Sequence, residues 1–67
     1  MNVGVIGLGL IGGSIALKIK EIDKNTVIYG LDKDFDSMSY CLSKGIIDKK
    51  LDIKSIDNLK YIFIAIP

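Results

Sequence analysis

Apolar positions along this chain change their spacing from block to block, and the changes mark out its elements. Val3, Val5 and Ile6 form a short β-branched run that meets Gly7 at once, as expected for a buried strand of a parallel sheet; the first strand is placed at residues 2 to 6. From Leu10 onward Ile11, Ile15, Ile19 and Ile22 recur every three or four residues, while Lys18, Lys20 and Glu21 fall on the other side. That is an amphipathic helix running to about Glu21. The polar segment DKNT at residues 23 to 26 reads as a turn, and Val27 to Leu31 as a second strand ending at Asp32.

Asp34 can cap a second helix with Phe35, Met38, Cys41 and Leu42 on its inner face and Gly45 as the left-handed residue that ends it. Apolar positions are sparse between residues 46 and 60, where a short strand near Lys50 to Ile53 and one helical turn near Ser55 to Leu59 fit. YIFIAIP, Tyr61 to Pro67, is a continuous apolar strand stopped by proline. Strands and helices that alternate in this way define an α/β fold with a parallel sheet, right-handed crossovers and three layers. The last strand is the most hydrophobic segment and has no helix after it to cover it. It is therefore expected to expose apolar surface and an unpaired edge, giving weak stability or association. Residues 1–67 read as the N-terminal part of a larger domain.

Three glycines change the picture from fold to function. Gly7, Gly9 and Gly12 carry the spacing G-x-G-x-x-G between a strand and a helix, the context in which the pattern signals a dinucleotide site of Rossmann type. Gly7 makes the tight turn, Gly9 lets the backbone approach a pyrophosphate, and Gly12 lets the helix pack closely on the sheet. The free N–H groups and dipole of the helix then face the phosphates. Asp32 follows Gly12 by 20 residues at the end of the second strand, where its carboxylate can accept from both adenosine ribose hydroxyls. A carboxylate there repels a 2′-phosphate and favours NAD; the ammonium of Lys33 next door partly neutralises that repulsion and keeps NADP open. Gly13 serves close packing or leaves space for a ligand or another domain. Ser14 reaches either a cofactor or nearby backbone, and Gly30 either keeps space for the adenosine or serves strand packing.

Composition narrows the remaining classes. The formal charge is +1 with signs mixed along the chain, which gives nucleic-acid binding no electrostatic support. Apolar runs are far shorter than the roughly 20 residues that cross a bilayer, and the start of the chain lacks the features of a leader, so the chain reads as cytoplasmic, with no membrane partner. A single cysteine, Cys41, allows no intrachain disulfide and no cysteine metal cluster, and reads as a small apolar helix residue. There is no histidine, and all nine basic residues are lysines. The chain therefore has no ready general base near neutral pH and no bidentate clamp for carboxylate or phosphate.

GVIGLGLIGGS at residues 4 to 14, YGLDKD at 29 to 34, KGIID at 44 to 48 and IFIAIP at 62 to 67 together resemble the N-terminal, nucleotide-binding part of the prephenate dehydrogenase family, including its arogenate-using relatives. The resemblance implies a Rossmann domain followed by a helical domain that makes a homodimer. It also implies oxidation of prephenate by hydride transfer to NAD or NADP with loss of carbon dioxide, on the route to tyrosine. Gly7, Leu8, Gly9, Leu10, Ile11 and Gly12 match the family's pyrophosphate loop and Asp32 its ribose acid. Lys33 lies where cofactor choice varies, and Ala65, Ile66 and Pro67 match a segment near the cofactor. The family's catalytic histidine and substrate-binding arginines have no counterpart here, which implies that the fragment alone is inactive. Phe35 stands where relatives often carry proline. Two other readings remain: a segment of another NAD(P)-dependent dehydrogenase, and a non-enzymatic nucleotide-sensing domain.

Overall fold

A computed structural model describes residues 1–66. Its elements are β1 (Asn2–Ile6), α1 (Leu10–Ile22), β2 (Val27–Leu31), α2 (Phe35–Ser43), β3 (Lys49–Lys50), a 3-10 turn at Ile56–Asn58, and β4 (Tyr61–Ile64). All strand pairings are parallel and the spatial order is β3-β2-β1-β4. The first two crossovers step the same way across the sheet, so right-handed connections put α1 and α2 on one face. The connection from β3 to β4 then returns across β2 and β1.

Register decides what each face buries. Val3 lies beside Ile28 and Val5 beside Gly30, and the alternation of strand side chains sends Val3, Val5 and Ile28 to the helical face. There these three join Leu8, Ala16, Met38, Cys41 and Ile47 in a single core cluster. Gly4 faces the other way, where a side chain would meet Leu59, Ile62 and Leu51. The third layer expected from sequence is thus thin, made of these loop leucines and one 3-10 turn.

Both strands assigned before Asp32 keep their expected bounds. The later segments are shorter than expected: β3 has only Lys49 and Lys50 instead of a strand from Lys50 to Ile53, and β4 ends at Ile64. Leu51 is pulled inward to bury its side chain, with its N–H donating to the Gly30 carbonyl at 2.8 Å. Pro67 lies outside the described residues.

The inner faces of the helices also differ from the periodicity. In α1 the buried residues are Gly12 and Ala16, with Ile15 and Ile19 half-buried and Leu10, Ile11 and Ile22 exposed. Close approach of the helix to β1 leaves room only for small residues on its contact line. In α2, Met38 and Cys41 are buried as expected, whereas Phe35 and Leu42 are exposed. Burial, and then the charge of Asp32, push the Cys41 thiol upward, so it is an unreactive core residue.

Helix α2 starts and ends as its sequence dictates. Asp34 accepts from the Asp36 N–H and the Ser37 hydroxyl. At the other end Gly45 has φ +71°, the Ile46 N–H donates to the Cys41 carbonyl and the Gly45 N–H to that of Leu42. That pair of bonds is a Schellman closure, which needs the left-handed residue.

One tie across the fold was not visible in sequence. Asp48 accepts from the Ile28 N–H at 2.8 Å and from the Lys20 ammonium at 2.6 Å, joining β2, α1 and the loop before β3. Desolvation works to raise its pKa, but the Ile28 N–H and the Lys20 contact outweigh it and the net shift is downward. A carboxyl lowered on folding contributes stability above its ordinary value of 3.8 and loses it as pH falls through the folded value. Removing the acceptor orphans a backbone N–H, whereas removing the ammonium loses only a partly exposed pair. Asp48→Ala is therefore expected to cost about 1–3 kcal/mol in urea unfolding and Lys20→Met no more than about 1 kcal/mol.

The hydroxyl of Thr26 is buried with no hydrogen-bond partner. Thr26→Val replaces that orphan by a methyl of similar shape and is expected to raise stability by about 1 kcal/mol, read as a higher urea midpoint with unchanged slope.

Candidate functional site

The sequence turns sharply after β1, and the three glycines of the turn meet three different constraints. Gly7 has φ +91°, and a Cβ there would lie 2.8 Å from the Ala65 carbonyl oxygen, so both conformation and space demand glycine. Gly12 lies against the Gly7 carbonyl, where any Cβ would overlap the oxygen. Gly9 has nothing within 4 Å of a notional Cβ; its surface is open to an incoming group. These are the roles expected for the turn, the helix contact and the ligand approach.

Helix α1 begins directly at this turn. Gly9 is its N-cap and supplies no side-chain acceptor, and the first turn holds no acidic residue. The first N–H groups of any helix lack intrahelical partners and carry the positive end of its dipole. Here no capping side chain and no acidic residue of the first turn compensates them.

Asp32 ties the end of β2 to the glycine turn. One carboxylate oxygen accepts from the Leu8 N–H at 2.6 Å and the other from the Asp34 N–H at 2.8 Å. The Asp34 N–H, then the Leu8 N–H, hold the Asp32 carboxyl below its ordinary value, with Lys33 assisting and partial desolvation opposing. Each carboxylate oxygen has more than one acceptor site. Both can therefore still receive hydroxyl donors while the loop tie is intact.

A cavity of about 970 Å³ opens at this corner, lined by Gly7, Gly9, Leu10, Ile11, Asp32, Lys33 and Ala65 among others. It lies at the carboxyl ends of β1 and β4, where the strand order reverses; open α/β sheets bind ligands at this switch point. Seven of the nine residues expected to hold a cofactor thus line one cavity. Leu8 and Gly12 do not: the Leu8 side chain is in the core and its N–H serves Asp32, and Gly12 is covered by the Gly7 carbonyl. Ile6 and Leu31 also line the cavity, and sequence reading missed them because the last residue of a buried strand carries no motif.

Leu10 and Ile11 are 93% and 70% exposed, an unusual placement for large aliphatics at a helix start. Together with Ile66 they line the cavity with apolar side chains. Ser14 settles to the backbone alternative: its hydroxyl donates to the Leu10 carbonyl at 2.6 Å. Gly30 serves packing, because a Cβ there would press on Ile47 and Leu8 at 2.7–3.1 Å. Gly13 touches nothing within 4 Å of a notional Cβ, so it serves no close packing within the described residues.

No family model matches the chain. The prephenate dehydrogenase of Lactococcus lactis subsp. cremoris is 39% identical over 64 residues, covering 94% of this chain and 18% of that protein. The prephenate dehydrogenase of Bacillus subtilis is 40% identical over 63 residues, covering 91% of this chain and 17% of that protein. The chain thus spans under a fifth of the length of these curated relatives. A crystal structure of prephenate dehydrogenase from A. aeolicus, in complex with hydroxyphenyl propionate and NAD+, matches the whole chain with a TM-score of 0.85 at 28% identity, over 24% of that chain. The resemblance read from the motifs and the Rossmann-type fold are both borne out.

Proposed function

We propose that this chain is the dinucleotide-binding segment of a prephenate dehydrogenase, with residues 1–67 forming the first part of its NAD-binding domain. The observation that carries the reading is the coincidence of Gly7, Gly9, Gly12 and Asp32 at one sheet corner, in a chain similar over its length to proteins of that name. The pyrophosphate lies over Gly9 and the first N–H groups of α1, the ribose hydroxyls donate to Asp32, and Leu10 and Ile11 exclude water from one side. When bound, the dinucleotide supplies the hydride acceptor.

This chain's own contribution is binding and orientation. With no histidine and no arginine, it leaves proton removal and recognition of the substrate carboxylates to residues of the remaining protein. The substrate class is prephenate or arogenate, the parent acts as a homodimer in the cytoplasm, and the 67-residue chain alone turns over neither compound. Among the described residues, no helix is long and apolar enough to cross a membrane.

A chimera tests the reading directly. This chain replaces the matching segment of the Bacillus subtilis enzyme, and NAD-dependent prephenate oxidation is followed at 340 nm. Activity is expected in the chimera and its loss in the same chimera bearing Gly9→Val, which leaves the fold intact because the added side chain meets open space. A folded chimera that binds no NAD+ would overturn the proposal.

A further inference from the structure

Three residues, Asp32, Lys33 and Asp34, join the end of β2 to the start of α2, and two of them make the same bond in succession. One oxygen of Asp32 accepts from the Asp34 N–H at 2.8 Å, and one oxygen of Asp34 accepts from the Asp36 N–H at 3.1 Å. We infer that Asp34 and Ser37 are positioning residues for the dinucleotide site: by fixing the first turn of α2 they aim the Asp34 N–H at Asp32, and so set the direction of the carboxylate that meets the ribose. The inference rests on the dinucleotide reading of the cavity.

The path from the core to that carboxylate is continuous. Met38 is buried in the core cluster, and its N–H donates to the Asp34 carbonyl at 3.1 Å. The Ser37 hydroxyl donates to the second oxygen of the Asp34 carboxylate at 2.9 Å. The carbonyl and both carboxylate oxygens of Asp34 are thus held by α2, and its N–H is the group turned back toward Asp32. Asp34 does not line the cavity, so it acts through Asp32 and not by contact.

Two donors do what one cannot. The Leu8 N–H holds the other Asp32 oxygen at 2.6 Å from the side of the glycine turn. A carboxylate held by one donor still rotates about its side-chain bonds; held by two, it presents its remaining acceptor sites in fixed directions. Support of this kind strengthens binding because less freedom is lost when the ligand arrives. The acid legible in the sequence is therefore half of a device whose other half is a helix cap two residues on.

The test titrates NAD+ into the 67-residue chain by NMR and compares four variants. Asp34→Ala removes cap and charge, Asp34→Asn removes the charge but keeps a capping oxygen, Ser37→Ala removes one donor, and Tyr40→Gly loosens α2 at a 57% exposed site away from the cap. Asp34→Ala is expected to weaken NAD+ about five- to tenfold and Ser37→Ala about two- to threefold, with changes under about twofold in Asp34→Asn and Tyr40→Gly. Should Asp34→Ala not fold, the milder Ser37→Ala carries the comparison.

The Asp32 carboxyl carbon gives a second readout. Released from the Asp34 N–H, the first cause of its lowered pKa, it is expected to titrate closer to 3.8 in Asp34→Ala, whereas loss of the neighbouring negative charge alone would move it lower. Lys33, which assists the lowering, is the same in every variant. Asp34→Asn as weak as Asp34→Ala would make charge the cause, and Tyr40→Gly as weak would make general helix stability the cause. Either result, or unchanged affinity in a folded Asp34→Ala, overturns the inference and leaves the dinucleotide reading standing. If the unmodified chain binds no NAD+, that reading falls and the inference falls with it.

Discussion

Gly12→Ala is expected to leave most of the chain unfolded at 25 °C, with no cooperative urea transition by circular dichroism. The added Cβ would overlap the Gly7 carbonyl oxygen, a backbone atom that cannot rotate away as a side chain could. Relief requires α1 to lift from β1, which removes Ala16 from the core cluster and undoes the turn at Gly7. Overpacking alone costs about 1–3 kcal/mol even where side chains can adjust, and a chain of this size has roughly 3–10 kcal/mol in total. Gly13→Ala is the matched control. Its Cβ meets nothing within 4 Å, so relief of helical glycine is expected to add about 1 kcal/mol. A Gly12→Ala protein as stable as the parent would contradict the packing described for α1.

Asp32→Asn is the second large effect, expected to weaken NAD+ binding by about tenfold to a hundredfold in an NMR titration. The two carboxylate oxygens face one N–H donor each, from Leu8 and Asp34. An amide has only one oxygen, so its NH2 must face a backbone N–H, and one of the two ties becomes a repulsion. The loop then loses its anchor and the ribose loses an acceptor together. The same tie gives a pH signature. Because folding lowers the Asp32 pKa from 3.8, its contribution is present above that value and disappears as pH falls through the folded one. The Leu8 amide resonance should hold its position from neutral pH down to about 4 and move only below. A midpoint above the ordinary value would show that the tie is absent.

How far the sequence carried can be seen at particular residues. The glycine turn and Asp32 were legible because each answers a backbone constraint or a fixed distance that a string of letters preserves, whereas Ala65 was reached only through the family resemblance. The α1 stripe was misread because isoleucines at helical spacing outweighed Gly12 and Ala16, although tight packing against β1 selects small residues there. Phe35 and Leu42 were placed inward on apolar character alone, and both are exposed. Asp48 escaped notice because a charged residue reads as solvated until a distant element turns out to stand beside it.

The expected apolar edge is present. All four residues of β4 are exposed, from Phe63 at 39% to Ile64 at 67%, and among the described residues β4 pairs only with β1. Such an edge is a template for association.

Strand β4 also sets the order of events on a ribosome. Val3 pairs with Tyr61, the Ala65 N–H donates to the Ile6 carbonyl, and the Ala65 carbonyl packs against Gly7. The first strand is therefore completed by a strand translated about 58 residues later, from the pairing of Val3 with Tyr61. Chains emerge at about 5–20 residues per second, so for several seconds β1 has one flank open and the glycine turn lacks the backbone that seats it. During that interval the nascent chain is a target for chaperones and for mispairing with neighbouring polypeptides, and its cofactor corner is finished only once Ala65 has left the exit tunnel.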